Sequence, residues 1–96
     1  MGAQKLSEAE LTAALKGLSG WSVTEGKLRR VFEFKDFSAA FAFMTQAALA
    51  AEKMNHHPDW SNSWNKVTVE LVTHSAGGLT AYDTGLARRM NEIYSA

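Results

Sequence analysis

The 96-residue chain predicts an α+β domain: a two-layer sandwich with a four-stranded, mainly antiparallel sheet and three helices on one face. Two observations carry this. Apolar residues recur at helical spacing in three segments and alternate at strand spacing in the stretches between them. The order is helix-β-β-helix-β-β-helix, and strand pairs interleaved with helices favour one sheet covered on one side. The other sheet face is then open to a partner.

The first helix is expected over 7–18. Ser7 and Glu10 form a capping box, and Leu11, Ala14, Leu15 and Leu18 fall on one side. Gly17 and Gly20 end it. Strands follow at 21–24 and 27–34, turned by Glu25-Gly26. Leu28, Phe32 and Phe34 share a face, with Arg29, Val31 and Glu33 opposite. Arg30 falls on the apolar side, which places it near an edge or interface.

Asp36 caps a long helix over 37–54. Phe37, Ala40, Phe41, Met44, Ala48 and Ala51 form one apolar stripe, which Phe43, Ala47 and Met54 widen, and Phe32, Phe34, Phe37 and Phe41 are expected in the core. Pro58 is the chain's only proline and cannot continue the helix. A second hairpin is expected over 60–64 and 67–73. Gly77-Gly78 breaks the chain before a last helix, which Thr80 and Asp83 cap and which Leu86, Met90 and Ile93 anchor.

Ten basic and ten acidic residues balance, with a sequence pI near 6.8, so no basic excess points to nucleic acid. With no cysteine, disulfides, thiolate metal sites and a cysteine nucleophile are excluded. The N-terminal residues lack a signal-peptide core, and Gly2 is followed by Leu6 where a myristoylation motif wants Ser or Thr. No stretch approaches the roughly 18 apolar residues of a membrane span. The expected compartment is the cytoplasm. The chain is expected to be a single domain over 1–96, and its small core favours oligomerisation.

All three histidines, His56, His57 and His74, fall between 56 and 74. The first two occupy the junction before the third strand, and the last ends the fourth. A hairpin joins those strands, so the three can meet at one sheet edge. Imidazoles titrate near neutral pH and suit proton transfer. Glu52 lies one helical turn before His56. A solvated loop would also explain the pair, Asp83 serves equally as a cap, and three histidines with Asp83 could bind zinc or iron. Trp60 and Trp64 share strand parity and either pack on the sheet or stack on a flat heterocycle.

The string Glu52-Lys53-Met54-Asn55-His56-His57-Pro58-Asp59-Trp60, followed by Trp64-Asn65-Lys66-Val67, Thr73-His74, Gly77-Gly78-Leu79-Thr80 and Asp83, resembles the signature of the pterin-4a-carbinolamine dehydratases. The resemblance is detailed from the second helix onward and extends to element order before it. It implies a hydro-lyase that takes water from a 4a-hydroxytetrahydropterin without metal or organic cofactor, in tetrahydrobiopterin recycling. It implies dimers or tetramers in which sheets or helices meet. It also leaves room for a protein partner, because an animal member serves as a dimerisation cofactor for a transcription factor. His56, His57 and His74 match the active-site histidines, His56 and His74 for acid–base work and His57 for positioning. Glu52, Asn55, Pro58, Trp60, Val72, Thr73, Ser75 and Asp83 match positions around the pterin. The stretch from Val72 to Ser75 would hold the pterin edge by its backbone, and Glu52 and Asp83 would support the site, orienting histidines. Asn55, Trp64 and Ala76 depart from better-known animal members, which carry an acidic residue, a tyrosine and a cysteine there.

Overall fold

Ser7 and Glu10 clasp each other's backbone at the first helix start. In the computed structural model, which describes residues 4–96, the Glu10 amide donates to Ser7 Oγ at 3.1 Å and the Ser7 amide to Glu10 Oε1 at 2.8 Å. Two amides that a helix start leaves open are thereby satisfied. The Ser7 amide, and then its hydroxyl, hold the Glu10 carboxyl below its ordinary pKa. Helix α1 (Glu8–Leu15) stops short of the expected 18. Its end tightens through bonds from Gly17 N–H to the Ala14 carbonyl and from Leu18 N–H to that of Leu15. That turn buries Leu18 in the core. Gly2, weighed above for myristoylation, lies outside the described residues.

Strands β1 (Ser22–Thr24) and β2 (Lys27–Glu33) join through Glu25 and Gly26, both at positive φ, 52° and 78°. That combination matches the right-handed twist of a tight hairpin. With β3 (Asp59–Ser63) and β4 (Lys66–Leu71) they form one antiparallel sheet in the order β1-β2-β4-β3. Leu28 lies opposite Leu71, and Phe32 opposite Val67. Leu28, Phe32, Val67, Val69 and Leu71 are fully buried beneath the helices. Arg29, Val31, Glu33, Thr68 and Glu70 alternate with them and point to the other face. There Glu70 lies 3.8 Å from Lys27 and 3.7 Å from Arg29.

Helix α2 (Phe37–Met54) has the expected bounds, with the Ala39 amide on Asp36 Oδ1 at 2.8 Å. Its buried face matches the expected stripe only at Ala40 and Ala51. Ala40, Phe43, Ala47 and Ala51 face the sheet, while Phe37 and Phe41 are 50% and 54% exposed. The alanines let the helix lie close, and Phe43 alone reaches down to Phe32, ring centroids 4.5 Å apart. The wider stripe with Phe37 and Phe41 cannot face the sheet at the same time, so it turns outward. Phe34 is half-buried against the core.

Arg30 corrects another expectation, for β2 is an interior strand. The guanidinium lies over the Phe32 and Tyr94 rings at 4.3 and 4.9 Å and donates to the Ser19 carbonyl and to Asn91 Oδ1, each at 2.7 Å. Partial burial lowers its pKa. Gly20, at φ 86°, sits so near that a Cβ would come within 2.5 Å of Arg30 Cζ. Asn91 also accepts from Trp21 Nε1 at 2.8 Å, tying the last helix to the first strand's entry. Trp64 does not share a strand with Trp60. It occupies the β3–β4 turn at φ 49°, is 65% exposed, and lies at the hairpin end away from the histidines.

Helix α3 (Ala81–Ser95) buries Leu86, Met90 and Ile93 as expected. No helix among the described residues is long and apolar enough to cross a membrane.

Candidate functional site

The junction after α2 turns because Asn55 adopts the left-handed conformation, φ 53° and ψ 41°. Asparagine tolerates this better than most residues. The His56 amide then reaches back to the Ala51 carbonyl at 3.1 Å, closing a Schellman-type cap. The reversal carries His56 under the start of α3 and leaves His57 outside. Pro58, half-buried, leads into β3.

On the facing segment, β4 ends at Leu71, before the expected 73. Thr73 instead forms a lone bridge with Gly78, its amide donating to the Gly78 carbonyl at 3.1 Å. The bridge clips off a 3-10 turn, His74–Ala76, that ends on Gly77 at φ 73°. His74 and Ser75 are therefore exposed on a short closed loop rather than on a strand.

Asp83 is the centre of the arrangement. It is 0% exposed. Its Oδ2 accepts from the Thr80 amide at 2.9 Å and from Thr73 Oγ at 2.8 Å, while Oδ1 meets His56 Nε2 at 2.6 Å. A buried carboxylate is costly unless its lone pairs are satisfied, and here three donors converge on it. Because a carboxylate only accepts, Nε2 donates to it, and Nδ1 is the His56 nitrogen left for a substrate.

Glu52 does not serve His56. Its Oε1 lies 2.8 Å from His57 Nε2, with both side chains more than half exposed. His74 Nε2 is 4.0 Å from Asp59 Oδ2, again in solvent. The three histidines thus differ: one is anchored in the interior, one is oriented at the surface, and one is loosely held. Trp60 is half-buried on the helix-facing side of the sheet, packed against the core, and Val72 is half-buried beside Thr73. Among the described residues no three histidine, aspartate or glutamate side chains come together as a metal site. The groove of about 580 Å³ between α2 and α3, lined by Leu49, Lys53, Met54 and Arg88, includes none of the histidines. Chemistry rather than volume therefore locates the site.

One neighbour had no sequence signal strong enough to single it out, and another showed only part of its role. The Tyr82 ring lies 5.7 Å from the His56 ring, tilted by 31° and 42% exposed. Its only hint was adjacency to Asp83. Thr80 was visible as a cap but not as a partner of Thr73, whose Oγ is 2.8 Å from its own.

Residues 4–93 match the model of the family described as pterin 4 alpha carbinolamine dehydratase. The chain belongs to that family. The family is named for a dehydration, which makes the chain a hydro-lyase of that family. A protein of Solibacter usitatus, provisionally named a pterin-4-alpha-carbinolamine dehydratase, is 53% identical over 89 residues, covering 93% of this chain and 94% of its own. One of Brucella ovis with the same provisional name is 50% identical over 95 residues, covering 97% and 98%. Among solved structures, the crystal structure of a transcriptional coactivator/pterin dehydratase from Brucella melitensis superposes with a TM-score of 0.92 at 49% identity, covering 95% of this chain and 99% of that one. The dehydratase fold expected from the sequence, sheet and three helices, is the fold observed.

Proposed function

We propose that this dehydratase removes water from a 4a-hydroxytetrahydropterin by histidine acid–base catalysis. The observation that carries the proposal is the His56–Asp83 dyad, a part-buried imidazole whose Nε2 is committed to a fully buried carboxylate. That leaves Nδ1 able to exchange a proton with a ligand. The reaction needs two transfers. One proton goes to the departing 4a-hydroxyl as the C4a–O bond breaks. Another leaves N5, whose N–H electron pair becomes the N5–C4a double bond. Water and a quinonoid dihydropterin result, with atoms and charge balanced. His56 and His74 serve as the acid–base pair, and His57, oriented by Glu52, positions the ring. Asn55, Pro58, Trp60, Val72 and Ser75 border the pterin, and Tyr82 offers a flat face next to His56. The reaction belongs to the recycling of tetrahydrobiopterin.

The test is dehydration of freshly generated 4a-hydroxytetrahydropterin, followed by ultraviolet absorbance against the spontaneous reaction. Wild type is expected to exceed that baseline clearly. A well-folded protein that only matched it would remove the enzymatic reading.

We further propose that the chain is one domain over 1–96, supported by a single core cluster running from Leu18 to Ile93, and that it assembles with itself. The support for assembly is the outward stripe of α2, where Phe37, Phe41 and the 69% exposed Leu49 lie in solvent. The same stripe would serve a protein-binding role of the kind suggested by the coactivator description of the Brucella melitensis structure. Phe41→Asp is expected to reduce the mass measured by light scattering at matched concentration while the circular dichroism stays unchanged. An unaltered mass would place the self-contact elsewhere.

A further inference from the structure

We propose that Thr73 and Thr80 are positioning residues, whose hydroxyls form a directional relay that fixes Asp83 and thereby decides which nitrogen His56 turns to the substrate. The proposal rests on the dehydratase mechanism above, yet its central claim about the His56 ring can be tested without turnover.

The direction of the relay follows from donor arithmetic. Thr73, Thr80 and Asp83 are 7%, 0% and 0% exposed, so water does not take over any of these bonds. A hydroxyl has one proton. Thr73 Oγ gives its proton to Asp83 Oδ2 at 2.8 Å, since the carboxylate can only accept. The 2.8 Å contact between the two threonines then has a single polarity, with Thr80 donating and Thr73 accepting. Thr80 Oγ in turn accepts from the Tyr82 amide at 3.2 Å. The chain runs from the first turn of α3 through two hydroxyls to the carboxylate, and each bond polarises the next.

The consequence for Asp83 is geometric. Two donors, the Thr80 amide and the Thr73 hydroxyl, hold Oδ2. The carboxylate plane is therefore set, and Oδ1 faces His56 Nε2 alone. Without the Thr73 proton, Oδ2 keeps one donor and the plane is free to rotate about the Cβ–Cγ bond. His56 would then lose the fixed acceptor that selects its Nε2–H form.

Thr73 also has nothing left for a pterin. Its amide and carbonyl pair with Gly78, its carbonyl further accepts from the Ala76 amide at 3.0 Å, and its hydroxyl is in the relay. The expected backbone contact to the pterin edge moves to its neighbours Val72 and Ser75, and Thr73 acts through His56.

The test uses Thr73→Val, which keeps shape and removes the hydroxyl, and Thr73→Ser, which restores it. Imidazole nitrogen resonances of the ¹⁵N-labelled protein, assigned by loss in His56→Gln and recorded where the ring is neutral, report the tautomer directly. Wild type and Thr73→Ser are expected to show the Nε2–H form, and Thr73→Val a mixture of both forms. In the dehydration assay Thr73→Val is expected to lose about tenfold in kcat, as for a hydrogen bond lost from a charged group, with KM within about twofold of wild type and Thr73→Ser near wild type in both. A rise in KM at unchanged kcat would make Thr73 a substrate contact and overturn the proposal. So would an Nε2–H signature that survives in Thr73→Val. If wild type failed to accelerate dehydration while the tautomer still shifted in Thr73→Val and returned in Thr73→Ser, the enzymatic reading would fall and the relay would stand.

Discussion

His56→Ala is expected to lower kcat for 4a-hydroxytetrahydropterin dehydration by about 10²–10⁴-fold, the range for a lost general acid or base. Of the three imidazoles only His56 is held by a fully buried partner, with Asp83 Oδ1 2.6 Å from its Nε2. His57→Ala removes a ring paired in solvent with Glu52, so its effect should fall mainly on KM. The alanine variant also deprives a buried carboxylate of one donor, which costs about 1–3 kcal/mol in stability. His56→Gln separates these effects, because its side-chain amide can donate to Asp83 but cannot take up or release a proton near neutral pH. Its unfolding midpoint should approach wild type while its kcat stays low. A glutamine variant with near-normal kcat would show that His56 binds rather than transfers protons.

Phe32→Ala should lower the unfolding free energy by about 3–5 kcal/mol, measured by urea denaturation. Domains of this size hold about 5–15 kcal/mol in all, so much of the population would unfold on mild heating. Phe32 is fully buried and central to an aromatic cluster, with Phe43 at 4.5 Å, Tyr94 at 5.0 Å and Trp21 at 5.8 Å between ring centroids. Arg30 lies over its face at 4.3 Å. Sheet, α2 and α3 all meet on this one ring, so no single element can relax to fill the gap. A loss below about 1 kcal/mol would mean that the core collapses around the vacancy and that the cluster is redundant.

The parts of the molecule legible in the sequence were those written in local signals. Asp36 and the Asn55-to-Pro58 junction bracket α2, and both ends were placed correctly. The Ser7 and Thr80 caps mark helix starts without reference to anything distant. What failed was choosing between two apolar stripes on one helix. Helical spacing put Phe37 and Phe41 on the same stripe as Ala40 and Ala51, whereas the buried face keeps those two alanines and takes Phe43 and Ala47 instead of the two phenylalanines. The sheet instead accepted the thin face, because a close approach of backbone to strand buries the strands' own Leu and Val residues. Partnerships across the chain were beyond local reading altogether. Glu52 was placed beneath His56 by helical spacing, but the turn at Asn55 breaks that spacing and hands Glu52 to His57. Asp83 reaches His56 from 27 positions away. Asn91 joins Trp21, Arg30 and Ser19 through contacts 61 to 72 positions long, and no periodicity encodes those.

The strand order β1-β2-β4-β3 has a consequence for how the protein is made. Residue 28 lies opposite residue 71, so β2 meets its inner neighbour only after about 40 further residues have been added. Until then a nascent chain holds β1 and β2 as a two-stranded ribbon, which is marginal in water. Phe32 on that ribbon has neither Val67 nor the last helix to cover it. The β3–β4 hairpin can form locally, but the sheet closes only when the second half of the chain has left the ribosome. Folding during synthesis is therefore predicted to be late and nearly all at once, with β2 the segment most in need of protection from neighbouring chains while it waits.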